Sequence, residues 1–145
     1  MVLISRLEIV KESDFDDAKE IMDSLSKEDK ENSGMDHEYR DSNRIKFRHI
    51  ERRDGKPVAF IDLYPFNNSD SIVFLLLAVR KEYRKQGFTK ILLTKAIEWC
   101  KKNKIKKIKW YCEKSNEASY KSALANGFKL TSESKYQYRL ELVIK

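Results

Sequence analysis

The sequence predicts an α/β domain over residues 1–145, with a mixed sheet of about six to seven strands flanked by about four helices. Three neighbouring segments support this prediction. Ile72–Val79 is an apolar run without alternation, which predicts a strand covered on both faces. An amphipathic helix follows from Gly87 to about Asn103, and the alternating segment Lys107–Cys112 predicts the next strand. A strand, helix and strand in this order predict a parallel pair with a right-handed crossover.

The other elements follow from helix caps and hydrophobic spacing. Leu7–Val10 has the pattern of a short strand, and Ser13 is a suitable N-cap for a helix that runs to about Leu25. Asn116 can cap a later helix that ends at Ala125, before Asn126 and Gly127. Two closing strands are then predicted over Phe128–Thr131 and Tyr136–Ile144.

A hairpin is predicted at Asp54-Gly55, because this dipeptide favours a two-residue turn. The flanking strands would be Arg44–Arg53 and Lys56–Tyr64. A two-residue turn fixes the register, so Phe47 should lie opposite Asp62 and His49 opposite Phe60. Asp62 and His49 would then be diagonal neighbours within side-chain reach.

Composition points to a soluble globular protein, with 41% hydrophobic and 37% charged residues. The longest apolar run is eight residues, which is too short to span a bilayer. The N-terminus lacks a basic stretch followed by a long apolar core, so no signal peptide is expected. Cys100 and Cys112 have no metal-ligand spacing and suit free thiols in a reducing cytoplasm. We therefore expect a cytoplasmic protein without a metal site.

Charge is distributed unevenly along the chain. Residues 1–79 hold 12 Lys and Arg against 17 Asp and Glu, whereas residues 80–145 hold 18 against 6, so their net charges are −5 and +12. The basic half suits a polyanionic ligand, and the acidic half suits an amine. A solvated charged surface is the alternative explanation for both halves.

The segment between the apolar strand and the amphipathic helix has the features of a phosphate site. Helix N-termini carry unpaired N–H groups and a partial positive charge, so they bind anions. Gly87 lacks a Cβ and lets the backbone approach a pyrophosphate closely. Arg84, Lys85 and Lys90 add positive charge. An ordinary strand-to-helix loop is the alternative.

This segment resembles the acetyl-CoA-binding motif of the Gcn5-related N-acetyltransferase (GNAT) superfamily, Arg/Gln-x-x-Gly-x-Gly/Ala. The chain has Arg84-Lys85-Gln86-Gly87-Phe88-Thr89, in which Thr89 departs from Gly or Ala. Asn116-x-x-Ser119, followed by Asn126-Gly127-Phe128, is similar to the family's second signature, whose Asn bonds the pantetheine arm. The order of elements over residues 5–144 also agrees, so the resemblance covers nearly the whole chain and implies a GNAT-like fold.

The resemblance implies direct acetyl transfer from acetyl-CoA to a primary amine. Backbone groups of Leu77 and Val79 would pair with the pantetheine as an added strand, and the Val79 N–H would stabilise the developing oxyanion. In relatives, the strand after the crossover splays away to make room. The implied coenzyme-binding residues are Leu77, Val79, Arg84, Lys85, Gln86, Gly87, Phe88, Thr89, Lys90, Asn116 and Ser119.

The sequence leaves the proton-transfer groups open. Many relatives place a Tyr seven residues after the Asn, where it can reprotonate the coenzyme thiolate, but this chain has Ala123 there. Tyr120 lies three residues earlier and is either a substitute or a structural tyrosine. Asp62, paired with His49, is the candidate general base, against a structural hydrogen bond or water-mediated deprotonation.

The acidic segment 26–41 lies where relatives have their acceptor loop. It suggests a cationic acceptor such as a polyamine, an aminoglycoside or a peptide N-terminus, although a solvated loop has the same composition. The acceptor itself and the choice between monomer and homodimer stay open.

Two other functional classes also stay open. A catalytically silent acyl-CoA-binding protein would share the coenzyme residues. A nucleic-acid-binding module would use Lys101-Lys102-Asn103-Lys104 with Trp110 and Tyr111, but the spacing places Trp110 in the core.

Overall fold

The computed structural model describes residues 17–21 and 44–145, which form three helices and a six-stranded sheet. Helix α1 is described over residues 17–21, and a short 3₁₀ turn covers Lys81–Tyr83. The longer helices are α2, Phe88–Lys102, and α3, Glu117–Ala125. The strands are β1 (Phe47–Arg53), β2 (Lys56–Pro65), β3 (Ile72–Val79), β4 (Lys107–Glu113), β5 (Lys129–Glu133) and β6 (Gln137–Val143).

The sheet is mixed, with the strand order β1-β2-β3-β4-β6-β5. Strands β3 and β4 are parallel, and every other neighbouring pair is antiparallel. The predicted α/β class and the parallel pair are therefore confirmed, with three helices described where about four were expected. The predicted strand Leu7–Val10 and the acidic segment 26–41 lie outside the described residues. No helix in residues 17–21 and 44–145 is long and apolar enough to span a bilayer.

Local sequence signals explain where the two long helices begin. Gly87 precedes α2 in the left-handed region, with φ 86° and ψ 5°, a conformation that glycine adopts without a Cβ penalty. Asn116 precedes α3, and its side chain accepts a hydrogen bond from the Ser119 backbone N–H at 3.2 Å. This bond satisfies one of the unpaired donors of the first turn.

Apolar side chains cover the middle of the sheet on both faces. On the α2 face, residues such as Leu63, Leu75 and Leu92 belong to the larger buried cluster. On the α1 face, Phe60 and Ala78 pack in a smaller cluster with residues of α1. The prediction that Ile72–Val79 is covered on both faces holds only in part, because four residues of this strand are buried and four are half-buried.

The hairpin keeps its predicted pairing only next to the turn. Arg53 lies opposite Lys56, as a two-residue turn requires. A β-bulge then falls between Glu51 and Arg52, and Val58 is the extra residue on β2. A bulge inserts one residue into one strand, so every pair beyond it is shifted by one position.

The shift overturns the predicted Asp62–His49 pair. Asp62 lies opposite Arg48, and His49 lies opposite Ile61. Because side chains alternate between the faces of a strand, Asp62 projects to the α1 face and His49 to the α2 face. The two side chains cannot form a catalytic pair, since the sheet separates them.

Candidate functional site

A cleft of about 440 Å³ opens between β3 and β4. These parallel strands pair only at Ile72, Val73 and Phe74, opposite Lys107, Ile108 and Lys109. Beyond Phe74 they diverge, and the cleft is lined by residues from both faces of the sheet, including Leu76 and Leu77. The divergence expected from the resemblance is therefore present.

Backbone groups of β3 point into this cleft. The Arg80 N–H donates to the Val58 carbonyl at 2.9 Å, while Val79 lies opposite Ala59. In an antiparallel ladder, this makes Val79 and Ala59 a pair that does not exchange hydrogen bonds with each other. The N–H and C=O groups of Val79, and by the same alternation those of Leu77, are therefore directed toward β4. Because β4 diverges from β3 at these residues, it does not pair with these N–H and C=O groups of β3.

One of these groups already has a partner. The Val79 carbonyl accepts a hydrogen bond from Arg84 Nε at 3.1 Å. Arg84 therefore connects the end of β3 to the loop before α2. Its guanidinium both bonds to the backbone of β3 and adds positive charge at the mouth of the cleft. The Val79 N–H stays directed into the cleft.

The loop before α2 has the geometry of an anion site. Lys85 and Gly87 both have positive φ, at 62° and 86°, and α2 has no side-chain N-cap bond. The Ile91 N–H donates to the Gly87 carbonyl at 3.2 Å, so the amides of the preceding turn have no intrahelical acceptor. These amides, the helix dipole and the side chains of Lys85 and Lys90 are suited to hold a pyrophosphate.

The predicted coenzyme-binding residues, except one, line the cleft. The exception is Gln86, whose side chain donates to the Glu82 carbonyl at 3.1 Å. Thr89, the departure from the family motif, lines the cleft in the first turn of α2.

Helix α3 forms the opposite wall with a stripe of small polar residues. Asn116 Nδ2 donates to Ser119 Oγ at 2.9 Å, in addition to the cap bond. Ser122 and Asn126 continue the stripe into the cleft. Neither Ser122 nor Asn126 is among the coenzyme-binding residues that the resemblance implies. Their helical spacing from Ser119 is the signal that could have identified them.

Tyr120 does not belong to this stripe. Its ring stacks on Tyr138 at 4.0 Å between centroids, and it does not line the cleft. Ala123, where many relatives have a Tyr, is fully buried in the core. The structure therefore places neither residue against the cleft.

Asp62 is held in a buried ion pair. Arg48 Nε and Nη2 donate to its two carboxylate oxygens at 2.5 and 2.6 Å. Asp62 is 0% exposed, and burial raises the pKa of its carboxyl while the bonds from Arg48 oppose that shift. His49 instead forms a hydrogen bond with Glu51, at 2.6 Å between Nε2 and Oε2. Neither Asp62 nor His49 lines the cleft.

Strand β4 contains Trp110 and Cys112, for which the sequence predicted a core position and a free thiol. Trp110 is 6% exposed and packs edge-on against Phe128, with ring centroids 5.3 Å apart, which confirms its predicted place in the core. Cys112 is a free, buried thiol that also lines the cleft. Burial raises the pKa of the Cys112 thiol to about 12.

Comparison with known proteins identifies the fold and the family. The sequence model of the acetyltransferase (GNAT) family matches residues 14–128. The chain belongs to the acetyltransferase (GNAT) family. The match contains the loop before α2, the divergent strands and all of α3. A comparison with curated protein sequences found no match.

Several solved structures share the GNAT fold at low sequence identity. Ard1 from Thermoplasma volcanium is 17% identical, with a TM-score of 0.57 over 63% of this chain and 66% of that one. PaiA N-acetyltransferase from Thermoplasma acidophilum, in complex with coenzyme A, is 22% identical, with a TM-score of 0.62 over 69% and 61%. N-acetyltransferase PseH from Campylobacter jejuni, in complex with acetyl coenzyme A, is 21% identical, with a TM-score of 0.57 over 68% and 67%. The chain thus spans less than two thirds of the first two proteins.

Proposed function

We propose that this GNAT protein transfers an acetyl group from acetyl-CoA to a primary amine of a small molecule or a peptide. The observation that carries the proposal is the cleft between β3 and β4, which ends at an uncapped helix N-terminus. A phosphate-bearing ligand with a long polar arm fits this arrangement. Its phosphates would meet the turn at Gly87, and its amide groups would meet the backbone of Leu77 and Val79.

The donor would be held largely by backbone groups. The amides of the first turn of α2 would bind the pyrophosphate, with Lys85 and Lys90 beside it. The amide groups of the pantetheine would pair with Leu77 and Val79, as a strand pairs with an open edge. Asn116 would bond the arm from the opposite wall. The thioester then lies farther along the cleft, away from the phosphates.

The acceptor would approach from the α1 face, because the gap between the strands passes through the sheet. The amine nitrogen attacks the thioester carbonyl carbon, the new C–N bond forms, and the C–S bond breaks. A backbone N–H on β3 would stabilise the developing negative charge on the carbonyl oxygen. Because the thioester lies away from the phosphates, the Leu77 N–H is a better candidate than that of Val79, which ends β3 beside the phosphate loop. Holding both reactants in this geometry supplies much of the rate, since it converts an encounter into a unimolecular step.

Deprotonation of the amine is best assigned to water. Asp62 is buried, both of its oxygens are bound by Arg48, and it does not line the cleft. We assign a structural role to Asp62. We assign a structural role to His49 as well, which lies on the opposite face of the sheet. If Asp62→Asn removes the acidic limb of the pH–rate profile, this assignment is wrong and Asp62 is the base.

Binding of the donor is the first test, by calorimetric titration of acetyl-CoA. Gly87→Asp should abolish micromolar binding, because it adds negative charge and a strained φ where the phosphates would lie. Gly55→Asp is the matched control: Gly55 also has a positive φ, of 80°, and no atom within 4 Å, and it does not line the cleft. Equal loss in both variants, or no binding by the native protein, would refute the donor site.

Turnover is the second test. Free thiol is measured with acetyl-CoA and spermidine, kanamycin or a peptide with a free N-terminus. Thiol release with any of these amines supports the transferase. Binding of acetyl-CoA without thiol release from a broader amine panel would favour a non-catalytic acyl-CoA-binding protein. A preference for neutral amines would refute a cationic acceptor.

A further inference from the structure

The proposed transfer needs an acid for the leaving thiolate, and the cleft offers one that the sequence analysis did not assign. At the position where many relatives have a tyrosine that protonates the thiolate, this chain has Ala123, which is fully buried. Tyr120 is stacked on Tyr138, away from the cleft. Among the described residues that line the cleft, two are tyrosines, Tyr83 and Tyr111.

The two tyrosines lie at opposite ends of the cleft. Tyr83 ends the 3₁₀ turn after β3, and its ring meets the edge of Phe88 at 6.1 Å, beside the phosphate loop. Tyr111 lies on β4 two residues beyond the last pair with β3, which is Phe74 with Lys109. At roughly 3.3 Å per residue, Tyr111 is about 7 Å from that pair, whereas Val79 is about 16 Å from it. Tyr111 is thus at the narrow end, where the arm carries its sulfur.

The ring of Tyr111 is fixed from two sides. Phe66 meets it edge-on, with ring centroids 6.3 Å apart, and the Arg139 guanidinium lies over it at 5.5 Å from the centroid. Alternation along β4 directs Tyr111 to the α1 face, opposite to Trp110 and Cys112. This is the face from which the acceptor would enter, so the Tyr111 side chain lies on the acceptor's side of the cleft.

Other hydroxyl and thiol groups of the cleft are poorer proton donors. Ser119 and Ser122 carry aliphatic hydroxyls, which are far weaker acids than a phenol. Ser119 Oγ is also engaged by Asn116. Burial raises the pKa of the Cys112 thiol to about 12, so it holds its proton more tightly than an ordinary thiol.

We propose that Tyr111 is the general acid that protonates the leaving thiolate; this assignment rests on the proposed acetyl transfer. When the C–S bond breaks, the electron pair stays on sulfur, and the Tyr111 hydroxyl gives its proton to that sulfur. The proton that the attacking amine loses as the C–N bond forms returns through water to the tyrosinate. Bonds and protons balance without an oxidant, a reductant or a metal.

The test is Tyr111→Phe, with the acetyl-transfer step measured in a single turnover using acetyl-CoA and the most active amine of the panel. The substitution keeps the ring that packs against Phe66 and Arg139 and removes only the hydroxyl. We expect the rate to fall about 100-fold, since general acid catalysis contributes roughly 10²–10⁴. The Kd for acetyl-CoA should change by less than about twofold.

Matched variants separate an acid from a structural residue. Tyr136→Phe removes a hydroxyl from a side chain that is 67% exposed and is expected to keep the native rate, whereas Tyr120→Phe tests the candidate from the sequence. If Tyr111→Phe lowers the melting temperature, Tyr111→His, which restores a ring with a proton donor, should recover at least tenfold in rate.

Three results would overturn the assignment. The first is a Tyr111→Phe rate within threefold of the native rate. The second is a slow variant whose Kd for acetyl-CoA also rises by more than about twofold, and the third is a loss confined to Tyr120→Phe. If the native protein binds acetyl-CoA but releases no thiol with any amine, the proposed function itself fails, and the role of Tyr111 fails with it.

Discussion

Removing one charge from the buried Arg48–Asp62 pair should cost a large part of the stability of this protein. Asp62 is 0% exposed, the Arg48 side chain is 1% exposed, and two bonds of 2.5 and 2.6 Å join them. Asp62→Asn keeps the shape but leaves the guanidinium buried without a counter-charge. Breaking such a pair costs about 3–5 kcal/mol in the free energy of unfolding. At roughly 3 °C per kcal/mol, the melting temperature should fall by about 10 °C.

The opposite single variant has a distinct pH signature. Burial raises the pKa of the Asp62 carboxyl, and Arg48 opposes that shift. Arg48→Met removes the opposing effect, so the folded-state pKa of Asp62 rises further above its unfolded value. A raised pKa gives stability that is fully present below the unfolded pKa and is lost as pH rises through the folded pKa. Urea unfolding of Arg48→Met should therefore show lower stability at pH 8 than at pH 5, a difference absent from Asp62→Asn.

The double variant Arg48→Met/Asp62→Leu removes both charges. Replacing both charges with apolar groups removes the cost of burying an unpaired ion, so it should recover most of the loss caused by either single variant. The reasoning is refuted if Asp62→Asn costs less than about 1 kcal/mol, or if the double variant is no more stable than Asp62→Asn. Either result would mean that the pair is solvated or absent in solution.

Three further predictions concern other groups. The native thiols of Cys100 and Cys112 should react slowly with a thiol reagent at pH 7 and at once in urea, because burial raises the pKa of each to about 12. Glu141→Gln should lower the free energy of unfolding at pH 7 but not at a pH below the folded-state pKa of Glu141. A hydrogen bond from Lys109 lowers that pKa, so the stability that the ionised carboxylate contributes is lost as pH falls through it. Urea unfolding at both pH values checks this. Asn116→Ala should lower the free energy of unfolding by about 1 kcal/mol through loss of the helix cap, and it should also weaken acetyl-CoA binding. A Kd for acetyl-CoA equal to that of the native protein would exclude Asn116 from the proposed donor site.

The elements that the sequence predicted well are those set by local signals. Ile72–Val79 has the predicted bounds because the apolar run is flanked directly by polar residues, Ser71 and Arg80. The caps at Gly87 and Asn116 likewise depend on the residues next to them. The hairpin register depends on more than its turn. The bulge at Glu51 and Arg52 is a property of two strands together, and the turn dipeptide carries no information about it.

The candidate site divides in the same way. Its donor half was predicted from a strand, a glycine and a helix start that follow one another in the chain. Its proton-transfer residues depend on partners that are distant in sequence. The stack of Tyr120 on Tyr138 and the bond from Arg48 to Asp62 each remove a candidate from the cleft, and neither contact has a local pattern. Tyr111 is next to the core residue Trp110 in the sequence, and nothing in the local pattern indicates a functional role. It lines the cleft because β4 diverges from β3.

This division also accounts for the departure at Thr89. The proposed donor site would act mainly through backbone groups, since Leu77 and Val79 offer ladder positions and the first turn of α2 offers amides. A residue in that turn contributes its N–H whatever its side chain, provided that the side chain leaves room for the phosphates. Thr89 lies in the first turn of a regular helix, so its hydroxyl adds a polar group at the cleft without changing the amide. The glycine requirement falls instead on position 87, where φ is 86° and a side chain would strain the backbone that presents those amides.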